Sequence, residues 1–526
     1  MANGSGEFVL DGEAGATADV LDGLSRDACG GFGWADDGPL RRLRRTWLDT
    51  FDWRLYRAGL ALEQVTSGNC AELVLTGRDG ERLAVQPLPG RDGPEAPVAF
   101  PCLAGALPAG PLRELVEPVS GIRALAPVAR AVSQVRHRRV LNSDDKTIAR
   151  LTVDTMAVSF PARAQAPPRL SVSAVRGYQA QAAKLSRALA AAGPLRLDGT
   201  SALDAALAAA GSKPSRRAPA AALTPSMPAA KAVSAILISL LDAAEVNVPG
   251  TVRDVDTEFL HDLRVAVRRT RSALRLAGQV LPDGLAAAYR PEFRWLGDLT
   301  TPARDLDVYL LGLPGMTAGL VGATPADLVP FREYVAGARA AAHRDLVRGL
   351  RSARFARLTS GWRAALAGVR PARNGPTAAE LAGRRIAVAQ RRALRDGLRI
   401  TRASPAPDLH DLRKRCKELR YLIEMFGPLY DPAQRWQAIQ ELKALQDCLG
   451  EFQDAEVQRA EIHAFADRML AQRSAPAATL LAMGEIAAGL ARRQRQARAD
   501  FDSKFADFAG PASQERLAAL TQAGGR

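Results

Sequence analysis

Hydrophobic positions along the chain follow two different rhythms. Before about residue 200 the apolar runs are short and alternate with polar residues. The stretch "AELVLTGRDGERLAVQPLPG" (71–90) sets two such runs around a Gly/Asp turn and predicts a β-hairpin. "KTIARLTVDTMAVSF" (146–160) alternates as a further strand. "SAVRGYQAQAAKLSRALAAAG" (173–193) changes to helical spacing. "SKPSRRAPAAALTPSMPAA" (212–230) loses periodicity, gains proline and alanine, and predicts a linker. From residue 231 onward apolar residues recur at i, i+3 and i+4, the signature of packed helices.

The helical half repeats itself. "HDLRVAVRRTRSAL" begins at His261 and "HDLRKRCKELRYLI" at His410, an offset of 149 residues. The same offset aligns "LGDLTTPARDLDVYL" with "LQDCLGEFQDAEVQR", pairing Leu296 with Leu445, Asp298 with Asp447 and Asp305 with Asp454. Two segments in one register point to a duplicated unit, with a break near 370–380. The expected organisation is an α+β domain at 1–205, a linker at 206–228, and an all-α domain at 229–512. That domain is expected to hold two repeats of about four helices, near 231–372 and 378–512, related by a pseudo-twofold axis, with a tail at 513–526.

At 100° per residue, His261, Arg264, Arg268, Arg271 and Arg275 share an arc of about 80°, with Leu263, Val267 and Leu274 opposite. In the second copy His410, Arg413, Lys417 and Arg420 share the arc and Lys414 lies at its edge. Leu412, Cys416, Leu419 and Ile423 face away from them. Like charges at this spacing repel on an isolated helix. Two facing stripes are relieved by an extended anion with regularly spaced charges, and guanidinium forks suit phosphate oxygens. A solvated basic face is the plainer alternative, and the matched duplication argues against it.

Composition narrows the ligand class. The chain has 526 residues and a formal charge of +15. Residues 226–526 hold 44 Lys/Arg against 33 Asp/Glu, and residues 341–420 hold 20 against 6. This balance favours a polyanionic partner. Aromatic residues are only 5%, and no nucleic-acid reading motif is visible, which disfavours nucleic acid as that partner. The five cysteines form no CxxC pair, and the scattered His137, His343 and His463 offer no ligand spacing. We therefore assign no metal site, no cofactor and no catalytic residue, and expect a reducing, cytoplasmic setting without a membrane span. Asp305, Asp307 and Asp454 are expected to cap helices or orient arginines, and Trp295, Trp362 and Trp436 to anchor cores.

The segments "HDLRVAVRRTRSALR", "LGDLTTPARDLDV", "HDLRKRCKELRYLIEMF" and "LKALQDCLGEFQDAEV" resemble the CHAD family of helical domains, over about 230–510. The resemblance implies a pseudo-symmetric bundle that binds inorganic polyphosphate in a basic groove, and association with polyphosphate granules. Its motif positions fall on His261, Arg264, Arg268, Arg271, His410, Arg413, Lys414, Lys417 and Arg420. Residues 40–200 resemble the CYTH domain, an antiparallel barrel that forms a triphosphate tunnel, through "RTWLDTFDWRLYRAGLAL", "VARAVSQVRHRRVL", "ARLTVDTMAV" and "VRGYQAQAAKL". An active tunnel needs an ExExK motif near its start, where this chain reads "SGEFVLDGEAG". Basic residues expected after "GLAL" are replaced by "EQVTSG", and the later carboxylate strand reads "RLSVSAVRGY", with Ser171 and Ser173. Arg136, Arg138, Arg139, Lys146 and Arg150 remain as phosphate contacts. The expectation is a binding protein with a catalytically inactive first domain. The alternatives are a triphosphate-hydrolysing tunnel enzyme and a nucleic-acid binder.

Overall fold

The computed structural model describes residues 6–10, 31–78, 80–89, 98–191, 195–214 and 221–522. Its contacts divide the chain into two units, 1–217 and 218–526.

Strands β1 (Gly6–Leu10), β2 (Gly33–Asp36), β3 (Arg41–Thr50), β4 (Leu60–Ser67), β5 (Cys70–Gly77) and β6 (Arg82–Leu88) open the first unit. They are followed by β7 (Leu125–Leu141), β8 (Thr147–Phe160), β9 (Ala164–Gln165), β10 (Arg169–Ala174) and β11 (Leu195–Leu197). All pair antiparallel in one sheet of order β11-β1-β10-β8-β7-β3-β4-β5-β6, with β2 on β7 and β9 on β8. The expected hairpin is β5–β6, joined through a Gly80 turn at φ 75°, a conformation that favours glycine. Helices α1 (Arg54–Arg57), α2 (Pro111–Ser120), α3 (Gln179–Ala191) and α4 (Ala202–Ala209) complete the unit.

Three cores hold these helices to the sheet. Leu112 and Val116 of α2 pack with Leu48, Leu62 and Leu73. Leu185 and Leu189 of α3 pack with Phe8, Ile148 and Val172. Leu203 and Leu207 of α4 pack with Trp47 and Met156. Two expectations change here. Helix α3 starts at Gln179, because Ser173 and Ala174 still pair in β10. Residues 206–209 belong to α4, capped by Ser201 and fixed by the buried Ala206 and Leu207, so the linker begins later. Its central part, 215–220, lies outside the described residues, and Leu223 is already buried in the helical core.

The second unit contains α5 (Ala229–Val252), α6 (Thr257–Leu276), α7 (Leu285–Thr317), α8 (Val329–Leu350) and α9 (Ala353–Ala367). Then come α10 (Ala378–Gly397), α11 (Ala406–Met425), α12 (Pro432–Ala471), α13 (Ala477–Ala509) and α14 (Pro511–Gln522). Shifting α6 by 149 residues gives the bounds of α11 without remainder, and the first residue of α5 maps onto that of α10. Each half has a fifth, shorter helix beyond the four expected. The residues expected to form a tail largely make α14, whose Leu517 and Leu520 are buried in the main core.

The pseudo-twofold axis is visible in the hydrogen bonds. Ala229 N–H donates to the Pro376 carbonyl at 2.8 Å, and Ala378 N–H donates to the Met227 carbonyl at 2.7 Å. The 149-residue shift exchanges these two bonds. Pro228 bridges Thr377, its own counterpart, and the Tyr309 hydroxyl donates to the carbonyl of its counterpart Gln458 at 3.3 Å. The expected apolar stripes are buried together: Leu263, Val267 and Leu274 share one core with Leu412, Cys416, Leu419 and Ile423. Each such side chain contributes about 1.5–3 kcal/mol by leaving water, so this seam fixes how the repeats meet.

The tryptophans differ from one another. Trp362 is fully buried against Tyr289 and Phe293, at ring separations of 4.5 and 5.6 Å. Trp295 is half-buried beneath the Arg354 guanidinium. Trp436 does not anchor a core: it sits in the first turns of α12 and is 62% exposed.

Candidate functional site

Burying the apolar stripes of α6 and α11 turns their cationic stripes toward a common surface. Helix α6 starts cleanly because the Asp256 side chain accepts from Glu258 N–H and Phe259 N–H, so the phase of its stripe is set from the first turn. Two ion pairs then cross between the helices. Arg269 donates to Glu424 at 2.6 Å, and Arg275 lies 3.0 Å from Glu418. The 149-residue shift maps position 269 onto 418 and 275 onto 424, so the axis exchanges the two pairs with their charges reversed.

Arg268 connects the stripes. Its guanidinium lies 5.8 Å from the centre of the Tyr421 ring on α11. Lys417 is the most perturbed cation of the group: burial, and then the charges of Arg413, Arg268 and Arg420, push it down to about 8 against the pull of Asp454. Burial and the neighbouring Arg304 also lower His261. Arg264 is lowered by burial, with Asp305 opposing and Arg268, Arg304 and Arg271 adding to the shift. Its Nη1 donates to Thr301 Oγ1 at 2.5 Å, and Asp305 stands 3.8 Å away. The structure thus gathers His261, Arg264, Arg268, Arg271, Arg413, Lys417 and Arg420 into one strongly positive field.

Other expected residues are held by partners. Arg413 bonds Asp454 at 3.0 Å, Arg420 lies 3.3 Å from Glu424, and His410 Nδ1 meets Gln453 Oε1 at 2.7 Å. Lys414 turns aside to Asp411 at 2.9 Å, with both groups exposed. Arg275 is tied to Glu418 but still faces a cavity of about 820 Å³, which Arg268, Arg271, Arg290 and Arg294 also line. Among the described residues no carboxylate lines that cavity. Arg271 lies across Gly297 of α7, where an added Cβ would come within 2.6 Å of the guanidinium. Arg290, Arg294 and Arg304 are contributed by α7, which sequence reasoning overlooked. Asp305, Asp307 and Asp454 serve as arginine partners rather than caps, with Asp307 buried 2.8 Å from Arg339.

The sign of the Lys417 shift sets a pH test. Its folded value lies below the ordinary 10.5. The unfolded chain therefore binds more protons between about pH 8 and 10.5, and stability contributed at this site rises with pH across that window. The cost of burying the ammonium is full below pH 8. Lys417→Met is expected to raise the melting temperature of the ligand-free protein at pH 7 by on the order of 5 °C, with the gain shrinking by pH 10. Equal gains at both pH values, measured by calorimetry, would show that Lys417 is not strained by its charge.

In the first unit several basic residues of the sheet are paired with carboxylates. Arg45 is half-buried. Burial works against its charge, but a forked contact with Glu63 and a 2.8 Å bond to Asp154 outweigh it and raise its pKa. Arg138 bonds Asp36 at 3.2 Å, and Arg139 and Arg150 flank Asp37. Glu7 of β1 pairs with Arg169, while residues 11–15 of the opening segment lie outside the described residues. Among the described residues no group of three or more His, Cys, Asp or Glu is placed to hold a metal ion. No described helix is long and apolar enough to cross a membrane.

The helical unit is a duplicated bundle that concentrates cations along its internal axis. Residues 235–463 match the CHAD domain family, and the chain carries a CHAD domain there. The CHAD domain from the plant Ricinus communis is 27% identical, with a TM-score of 0.47, and the match covers 56% of this chain and 96% of that one. PptA from Streptomyces chartreusis is 18% identical, with a TM-score of 0.42 and coverage of 53% and 99%. A candidate adenylate cyclase from Bacillus halodurans is 10% identical, with a TM-score of 0.24 and coverage of 38% and 97%. No curated protein matches the chain.

Proposed function

We propose that the helical unit binds inorganic polyphosphate along the groove between α6 and α11, and that this holds the protein at polyphosphate granules in the cytoplasm. The carrying observation is the convergence of Arg268, Arg271, Arg275, Arg290 and Arg294 on one cavity of about 820 Å³, with Arg268 also reaching Tyr421 of the other repeat. A flexible chain of phosphates supplies the missing anions at the spacing of successive helical turns, and guanidinium forks recognise its oxygens. Nucleic acid offers the same charge, but among the described residues Tyr421 is the aromatic ring set against the stripes, which leaves little platform for bases. Competition tests the choice. Long-chain polyphosphate is expected to displace single-stranded DNA from the protein at a far lower phosphate concentration than the reverse requires. Equal displacement in both directions would favour a general polyanion surface.

The first unit acts in this reading without catalysis. Arg45 of its sheet is neutralised by Glu63 and Asp154 rather than left for a phosphate. The purified chain is expected to release no phosphate from tripolyphosphate with Mg²⁺, and sustained turnover would restore the tunnel-enzyme alternative.

A further inference from the structure

The two halves of the groove differ in how free their cations are. In the second repeat Arg413, Lys414 and Arg420 each contact a carboxylate at 2.9–3.3 Å. In the first repeat Arg268, Arg271 and Arg294 make no hydrogen bond or ion pair with the described residues, and Asp305 stands off Arg264 at 3.8 Å. The duplication is also incomplete on the flanking helix. Arg290, Arg294 and Arg304 of α7 map by the 149-residue shift onto Ile439, Lys443 and Gln453 of α12. Helix α7 thus brings guanidinium groups that α12 does not repeat. Arg290 and Arg294 converge with α6 on the cavity of about 820 Å³, whose lining among the described residues contains five arginines and no acid. Arg290 is fixed there by its bond to the Leu274 carbonyl at 3.0 Å.

We propose that this cavity is a self-sufficient anchoring subsite for a compact oligophosphate, and that the second repeat engages only when a longer chain reaches it. An anion held by Arg268, Arg271 and Arg294 breaks no carboxylate contact; of the cavity's arginines only Arg275 meets a carboxylate among the described residues, Glu418 at 3.0 Å. An anion approaching Arg413 or Arg420 must displace Asp454 or Glu424 and then endure their repulsion, which only a tethered, already anchored chain overcomes. This inference rests on the groove being a polyphosphate site and adds a chain-length rule to it.

Titration calorimetry on the full chain separates the parts, with inorganic tripolyphosphate and long-chain polyphosphate as probes. The wild type is expected to bind one tripolyphosphate. Arg271→Gln/Arg294→Gln, both exposed and unpaired in the structure, is expected to weaken tripolyphosphate roughly tenfold or more. Arg413→Gln/Arg420→Gln is expected to leave tripolyphosphate within about threefold while weakening the long chain roughly tenfold. Circular dichroism verifies the fold of each variant. Equal loss of tripolyphosphate in both variants, or two equivalents bound per chain, overturns the subsite. Wild type that binds long chains and not tripolyphosphate also overturns it while leaving the groove intact. Binding of tripolyphosphate without long chains removes the groove reading and leaves the subsite.

Discussion

Arg268→Glu/Lys417→Glu is expected to abolish high-affinity binding of long-chain polyphosphate while preserving the fold. The two side chains belong to different repeats, and the charge of Arg268 contributes to the depression of Lys417. Hydrogen bonds to charged groups are worth about 1.5–3 kcal/mol each, so losing two removes roughly 3–6 kcal/mol, a fall of about 100-fold or more. The reversed charges add repulsion to that loss. The ligand-free protein should not suffer, because Lys417 is a charge held among like charges and its replacement relieves that field. Fluorescence titration with labelled polyphosphate, beside a melting curve, separates the outcomes. Unchanged affinity in the folded variant places the site elsewhere, with the arginine-rich α10 the next surface to examine.

Trp362→Ala is expected to destabilise the helical unit by about 3–5 kcal/mol, lowering its melting temperature by on the order of 10 °C. The side chain is wholly buried, edge-on to Phe293 and tilted against Tyr289, in the same core that holds the α6 and α11 seam. Its indole N–H is buried without a hydrogen-bond partner among the described residues. Trp362→Phe removes that unsatisfied donor together with some packing, and should cost less than half as much. Equal losses for the two variants would mean that ring volume alone decides the stability here. The cationic stripes lie on the opposite faces of α6 and α11, so polyphosphate affinity of Trp362→Phe at low temperature should stay close to wild type.

The parts of this architecture that were readable beforehand are those set by local periodicity and by duplication. The stripes of α6 and α11 follow from 100° per residue alone, and the 149-residue offset transfers the bounds of α6 to α11 without error. What stayed hidden depends on tertiary packing. Arg290 and Arg294 sit on α7, whose three internal prolines and mixed faces gave no stripe to follow, and they join the site only because α7 packs beside α6. The ion pair of Arg275 with Glu418 joins residues far apart in sequence, so helical phase could not reveal that this cation is committed. Trp436 reads as a core residue by type, yet its place in the opening turns of α12 leaves it in solvent. Residues 513–522 lack charge patterning or caps of note and nevertheless pack as α14, because Leu517 and Leu520 find a core that the rest of the bundle supplies.

The most direct test of the central claim is the affinity of the wild-type chain for long-chain polyphosphate across a ladder of salt concentrations. Neutralising a polyanion by several fixed cations releases its condensed counterions, so the logarithm of the affinity should fall steeply and linearly with the logarithm of salt. The account predicts tight binding at low salt and a slope corresponding to several released ions. No binding at low salt, or an affinity indifferent to salt, would contradict it.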